Sequence, residues 1–370
     1  MSLPAEKGTR CRVYWNVLLI GIVMALVVAG CGPTLKQVIV SDEAVQIERE
    51  KQEDIAFSRF IEKQNRLFSI SYPMLVASGE LFTDKVRPTY GFMLHDNELY
   101  GKILGKEYKK VAVRNGIGEH VTVRYVYPES PADLAGLLVG DRVLAINEQS
   151  LDDENAIDAV KILHKLDYPE DSYLELLIER EGQTKKLTIN GIPACKYSVQ
   201  MVNSDAVNAF AGAEGVSITT GMLRFCETDK ELALVVGHEI SHIALGHLTK
   251  GMINRIPGMI LDAVIAATLG VHTQVFEGMS YIVFSKAFEQ ETDYAGLYIL
   301  ARAAYDVTGA ADFFRRMAVE HPGSIKGNFL ATHPSMPERF VAIENTIHEI
   351  EEKQRKGEPL IPEKKDNNEK

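Results

Sequence analysis

The chain has no surplus of positive charge: Lys and Arg number 40 against 51 Asp and Glu, a formal charge of −11 in 370 residues. No basic stripe offsets that balance, and nucleic acid is excluded as a partner. Long apolar runs are also missing. The two best candidates, 14–28 and 256–271, both fall short of the ~20 residues that a spanning helix requires. Cysteine is scarce, at four residues. Neither Cys195 nor Cys226 has a His at metal-ligand spacing, so neither is assigned to a metal. In an oxidising compartment the two can pair; as buried thiols they need not. What remains is an ordinary globular composition, 46% apolar and 25% charged, on a chain long enough for two modest domains.

Against that background one stretch stands out. Residues 228–250 read as a single helix, with Thr228 and Glu231 at capping-box spacing and Leu232, Val235, Val236, Ile240, Ile243 and Ala244 supplying apolar surface. Inside it lies His238-Glu239-Ile240-Ser241-His242. Side chains four apart share a helical face, so His238 and His242 can hold one Zn²⁺ together. Glu239 falls beside that metal, where it can take a proton from water. His247, past Gly246, is expected to cap the helix end or face solvent. A second strong helix, 285–305, puts Glu289 and Asp293 on one face and Glu291 on another. A catalytic zinc takes three protein ligands, and Glu289, Glu291 and Asp293 are all candidates for the third.

The N-terminus carries Lys7, Arg10 and Arg12 ahead of the apolar run 14–28, which ends in Val28-Ala29-Gly30-Cys31. This resembles a bacterial lipoprotein signal with its lipobox. The resemblance implies cleavage after residue 30, lipidation of Cys31 and a place in the cell envelope on the periplasmic face. The residue after Cys31 is Gly32, not an inner-membrane-retaining Asp, which points to the outer membrane. Residues 31–45 then read as a tether. An uncleaved inner-membrane anchor is the alternative.

Residues 46–83 repeat apolar side chains at helical steps, and Pro73 is expected to end or kink that helix. From 84 to 193 the pattern changes. Residues 111–113 and 121–127 alternate like strands. The run from Glu129-Ser-Pro-Ala-Asp-Leu-Ala-Gly to Gly-Asp-Arg-Val-Leu-Ala-Ile-Asn147 resembles bacterial PDZ domains, with Glu148 where a Gly is usual. By that resemblance 155–166 is the groove helix, 173–180 and 185–189 are closing strands, and Tyr90-Gly91-Phe92 is the loop that takes a peptide carboxylate. A groove filled by the protein itself is the alternative. Short strands are expected at 207–211 and 216–220; by resemblance to zinc proteases one of them is a substrate-binding edge, and plain core strands are the equal alternative. Residues 252–283 read as a buried apolar hairpin or a lipid-contacting patch. The last folded part is 310–351, and 352–370 should be disordered.

The HExxH, the acids from Glu289 to Asp293 about fifty residues on, and Thr332-His333-Pro334 together resemble the HtpX/CAAX prenyl protease family of gluzincins, in its BepA-type periplasmic branch. Thr292 stands where that family commonly has Ala. The resemblance makes Glu289 the third ligand of one Zn²⁺ per chain, with Glu291 as runner-up. It makes Asp293 the partner of a ligand imidazole. His333 becomes a catalytic or site-plugging residue, and Arg339 a further catalytic one. The implied fold is α+β: a mostly helical zincin core over 194–351 with a small sheet, and an inserted PDZ domain. The implied activity is zinc-dependent endopeptidase cleavage of envelope proteins, with Glu239 as general base and the PDZ domain binding substrate or an envelope partner. The competing reading is a lipid-anchored PDZ adaptor or chaperone with a latent zinc site.

Overall fold

A long helix, α1 (Asp42–Leu81), leads into the rest of the molecule. The computed structural model describes residues 35–169, 172–212, 215–248, 284–320, 333 and 336–365. Cys31, the proposed signal and the apolar stretch 252–283 therefore lie outside the described residues. No helix among the described residues is long and apolar enough to cross a membrane. Residues 1–53 and 54–370 form two compact units. In the first, 35–41 is exposed and non-helical and α1 begins at Asp42. Everything below concerns the second.

Of the two outcomes expected at Pro73, the helix does not end there: α1 runs through it to Leu81. The residues around it, Ile70, Tyr72, Met74 and Ala77, are all buried. Their packing outweighs the ~3 kcal/mol that an interior proline costs a helix.

After α1 the chain enters a β-rich insertion. Its first strand, β1 (Val86–Thr89), pairs antiparallel with its last, β8 (Ile192–Cys195), so entry and exit are tied together. Between them β2 (Phe92–His95), β3 (Thr122–Val126), β4 (Arg142–Ile146), β6 (Tyr173–Arg180) and β7 (Gln183–Asn190) form one sheet in that order, with β5 (Gln149–Ser150) on β4. Alternation on β6 buries Leu174, Leu176 and Ile178 on one face. Glu181 and Gly182, both at positive φ, turn β6 into β7. Past the single helical turn α4 (Pro131–Leu134), helix α5 (Ala156–His164), capped by the Asn155 side chain, packs beside β2, one edge strand of the sheet. Two shorter helices intervene, α2 (Asn97–Leu104) and α3 (Glu107–Arg114). The latter corrects the expected strand at 111–113. Val111 and Ala112 are buried with Phe57 and Tyr100, while Val113 is exposed. That is the one-sided burial of a helix.

The protease-like part follows. A three-stranded sheet runs β10 (Ala209–Ala211), β11 (Gly215–Thr219), β9 (Ser198–Val202). Helices α6 (Thr220–Phe225), α7 (Asp229–Ala244), α8 (Lys286–Arg302), α9 (Ala310–Glu320) and α10 (Pro337–Lys356) complete it. The Thr228–Glu231 capping box is present at the start of α7. Cys195 and Cys226 are buried free thiols, so no disulfide joins them. Residues 352–365, expected to be disordered, continue the helix to Lys356 and then pack back on the core. Arg302 and Lys353 donate to the carbonyls of Leu360 and Ile361, and the Glu363 amide donates to the Tyr294 hydroxyl.

Helices α7 and α8 meet at two glycines. A Cβ on Gly296 would lie 3.2 Å from the His238 amide nitrogen and 3.3 Å from the Gly237 carbonyl carbon. This close approach brings the acids of α8 to the histidines of α7. Gly296→Val should push the helices apart and destabilise the protein by about 1–3 kcal/mol. A denaturant midpoint equal to that of the parent would show the contact to be unimportant.

Candidate active site

All of α7 from Leu232 to Ile243 is buried, including His238, Glu239 and His242. Helix α8 is likewise buried at Glu289, Thr292 and Asp293. The two faces converge with His333 to bring four potential ligand atoms within 4.8 Å of one another, from His238, His242, Glu289 and His333. The Nε2 atoms of His238 and His242 are 3.1 Å apart. Glu289 lies 3.6 Å from the first and 3.4 Å from the second. His333 Nδ1 is 3.0 Å from Glu289 and 3.3 Å from His238 Nε2.

The outer partners fix which atoms point inward. Asp293 Oδ1 accepts from His238 Nδ1 at 3.0 Å, which leaves a lone pair on His238 Nε2 when the ring is neutral. Burial pushes the pKa of His242 down to about 2, so that ring is neutral as well. Arg339 is 1% exposed and bridges both acids. It meets Glu289 at 2.8 Å and Asp293 at 2.5 and 2.8 Å. Burial alone would raise the two carboxyls. Arg339 outweighs it, helped by His333 at Glu289 and by His238 at Asp293, and both pKa values lie below the usual range. Burial opposes protonation of His333, but Glu289 and Glu239 prevail and raise its pKa.

A pair of imidazole lone pairs, a committed carboxylate and a third imidazole thus face one point. The donor set of nitrogen and carboxylate oxygen suits Zn²⁺. Glu239 is buried beside it, with Oε1 3.4 Å from His333 Nε2 and Oε2 without a hydrogen-bond partner among the described residues. A buried acceptor left open in this way fits a water or a substrate proton.

Other expected site residues fall elsewhere. Glu291 is half exposed and lies off the cluster, paired with His247 at 3.0 Å. Arg339, expected as catalytic, is buried against the carboxylates of Glu289 and Asp293. His247 neither caps the helix nor faces water. It is fully buried, because Gly246 at φ +71 turns the chain back toward α8. Of the two strands expected as substrate edges, β11 is central and β10 is the edge. Tyr90 and Gly91 precede β2 in the insertion, and Phe92 is its first residue. Gly91 has φ +81, and a Cβ there would strike the Ser130 side chain at 2.2 Å. Its carbonyl accepts from the Tyr127 amide at 2.7 Å, and that of Tyr90 from Ala132 at 2.9 Å.

Comparison with known proteins agrees with this geometry. Residues 178–347 match Peptidase family M48, and 122–190 match a PDZ domain. The mitochondrial metalloendopeptidase OMA1 of Arabidopsis thaliana is 26% identical over 286 residues, 75% of this chain and 58% of that protein. A putative beta-barrel assembly-enhancing protease of Vibrio cholerae is 28% identical over 186 residues, 46% of this chain and 38% of that protein. The chain thus spans little more than half the length of the first relative and less of the second. Among solved structures, the HtrA-type protease AlgW with a decapeptide is 25% identical over 29% of this chain and 30% of that one, at a TM-score of 0.22. The buried histidine–carboxylate cluster thus lies on an α+β chain of which residues 178–347 are similar to Peptidase family M48 and residues 122–190 to a PDZ domain.

Proposed function

We propose that the protein is a zinc-dependent endopeptidase. The convergence of His238 Nε2, His242 Nε2 and Glu289 on one buried point carries this reading, because that donor set suits Zn²⁺. His238, His242 and Glu289 would hold the metal, and Asp293 would fix the His238 tautomer. When bound, zinc supplies a Lewis acid that acidifies water and polarises a peptide carbonyl. The residues do the rest. Glu239 takes the proton of the attacking water and returns it to the leaving amine. Edge strand β10 pairs with the extended substrate backbone. Arg339 keeps Glu289 and Asp293 ionised and in place. His333, in contact with Glu289, sits where a fourth ligand or an oxyanion partner would act.

The site of action follows from the sequence. Lipidation at Cys31 would hold the enzyme in the cell envelope on the periplasmic face, where envelope proteins are the available substrates. The relative named for beta-barrel assembly is compatible with that address. The PDZ domain would present substrate ends or bind an envelope partner through Tyr90, Gly91 and Phe92.

A second reading is favoured by His333, whose ring already contacts Glu289 at 3.0 Å, His238 Nε2 at 3.3 Å and Glu239 at 3.4 Å. It is a self-plugged site on a PDZ adaptor. Zinc analysis and casein cleavage by the full chain separate the two, with His238→Ala and His333→Ala alongside. The enzyme reading expects one zinc per chain, lost in His238→Ala, and cleavage by the parent. Cleavage by His333→Ala alone would mean a plugged enzyme. Bound zinc without cleavage by any form would favour the adaptor.

A further inference from the structure

His247 is buried next to the proposed metal ligands, yet it touches none of the reacting atoms. Its ring stacks on Phe288, with centroids 4.3 Å apart and planes 13° from parallel. One nitrogen, Nε2, lies 3.0 Å from Glu291 Oε2. The other, Nδ1, lies 3.2 Å from His242 Nδ1. We propose that His247, anchored by Glu291, positions His242 by accepting its Nδ1 proton, which aims the His242 Nε2 lone pair at the metal. The inference rests on the zinc reading above and adds a residue to it.

The proton inventory carries the argument. An ionised carboxylate only accepts, so the His247 nitrogen facing Glu291 bears a hydrogen. A singly protonated ring then has its lone pair on Nδ1, the atom facing His242. Two nitrogens at this distance share one hydrogen, and that hydrogen belongs to His242. Thr292 gives a parallel route to the same tautomer. Its Oγ1 is 3.4 Å from His242 Nδ1 and 3.1 Å from His247 Nδ1, so it can accept from one ring and donate to the other. Either way the proton of His242 sits on Nδ1 and its lone pair on Nε2. The two ligand histidines are thereby treated alike. His238 ends on the carboxylate of Asp293 directly, and His242 ends on that of Glu291 through one more imidazole. Such partners fix ring orientation and raise ligand basicity. Glu291 thus has a function other than ligation, and Thr292 adds a hydroxyl that an Ala would lack.

The test is zinc affinity of the full chain, measured by competition with a chromophoric chelator, beside the melting temperature without metal. His247→Ala should weaken zinc binding by about 10- to 100-fold. His247→Asn can place its amide oxygen near the Nδ1 position and should restore most of the affinity, whereas His247→Gln should not. Glu291→Ala, altered at a half-exposed side chain, should lose affinity by several-fold with little change in melting temperature. A residue that only fills space predicts no difference between Asn and Gln, and that result would overturn the proposal. So would parent-like affinity in His247→Ala and Glu291→Ala. If the parent itself binds no zinc, the metal reading fails and this role with it. If the parent binds zinc and the variants match it, only the positioning role fails.

Discussion

Glu239→Gln should abolish peptide hydrolysis while leaving zinc bound. The side chain is 2% exposed, so its replacement must fit the same space, and Gln has nearly the same shape. What Gln lacks is the ability to take a proton. Loss of a positioned general base lowers turnover by about 10²- to 10⁴-fold. Metal binding should survive, because Glu239 is not among the four residues whose ligand atoms converge, His238, His242, Glu289 and His333. Stability should not fall either. One carboxylate oxygen of Glu239 has no hydrogen-bond partner among the described residues, and an unmet buried charge is a cost to the fold. The expected signature is therefore threefold: casein cleavage lost, zinc content unchanged, melting temperature equal or higher. Parent-like cleavage by Glu239→Gln would remove it from the mechanism. Loss of zinc along with activity would make it a structural member of the cluster instead.

How much of this was legible beforehand depended on sequence distance. The capping box at Thr228 and Glu231 and the His238–His242 pair obey the helical period, so spacing alone placed them on one helix with a shared face. The run from Glu129 to Asn147 carries its own turn chemistry, with Ser130 capping a short helix and Gly136 and Gly140 at positive φ. It too was readable locally. The misreadings share another cause. Residues 111–113 look like a strand because Val-Ala-Val has β propensity, but the contacts with Phe57 and Tyr100 that make them helical lie outside any local window. Pro73 was read by propensity, and the buried residues around it carry the helix past it. His247 follows a glycine at the apparent end of a helix, where a solvent-facing histidine is the ordinary expectation. Only the fold brings Glu291 to its far side, 44 residues on. Gly246 was a usable signal, since a glycine there permits the chain to reverse instead of fraying. Arg339 was found only through the family resemblance, and its two partners on α8 become visible when α10 is packed against it.

Those partners make Arg339 the site of the largest expected loss of stability. The guanidinium is buried, lies with its carbon 5.0 Å from the centre of the Phe314 ring, and holds two carboxylates that are themselves buried. Its planar fork meets Asp293 through two nitrogens and Glu289 through the third, a geometry that a lysine ammonium cannot reproduce. Arg339→Met keeps much of the volume and removes the charge. Glu289 and Asp293 then lose their main counter-ion in a low-dielectric interior. Breaking a buried pair from one side costs about 3–5 kcal/mol, because the abandoned charge stays behind. The metal-free variant should show that loss in urea unfolding, and Arg339→Lys should recover only part of it. Zinc supplies an alternative positive charge to Glu289, so added Zn²⁺ should stabilise Arg339→Met by more than it stabilises the parent. Asp293 has no such substitute, and part of the deficit should persist at saturating metal. Full recovery by zinc would mean that Arg339 serves Glu289 alone. A metal-free variant as stable as the parent would mean that both carboxyls accept protons in the folded state, and that the guanidinium is not what keeps them ionised.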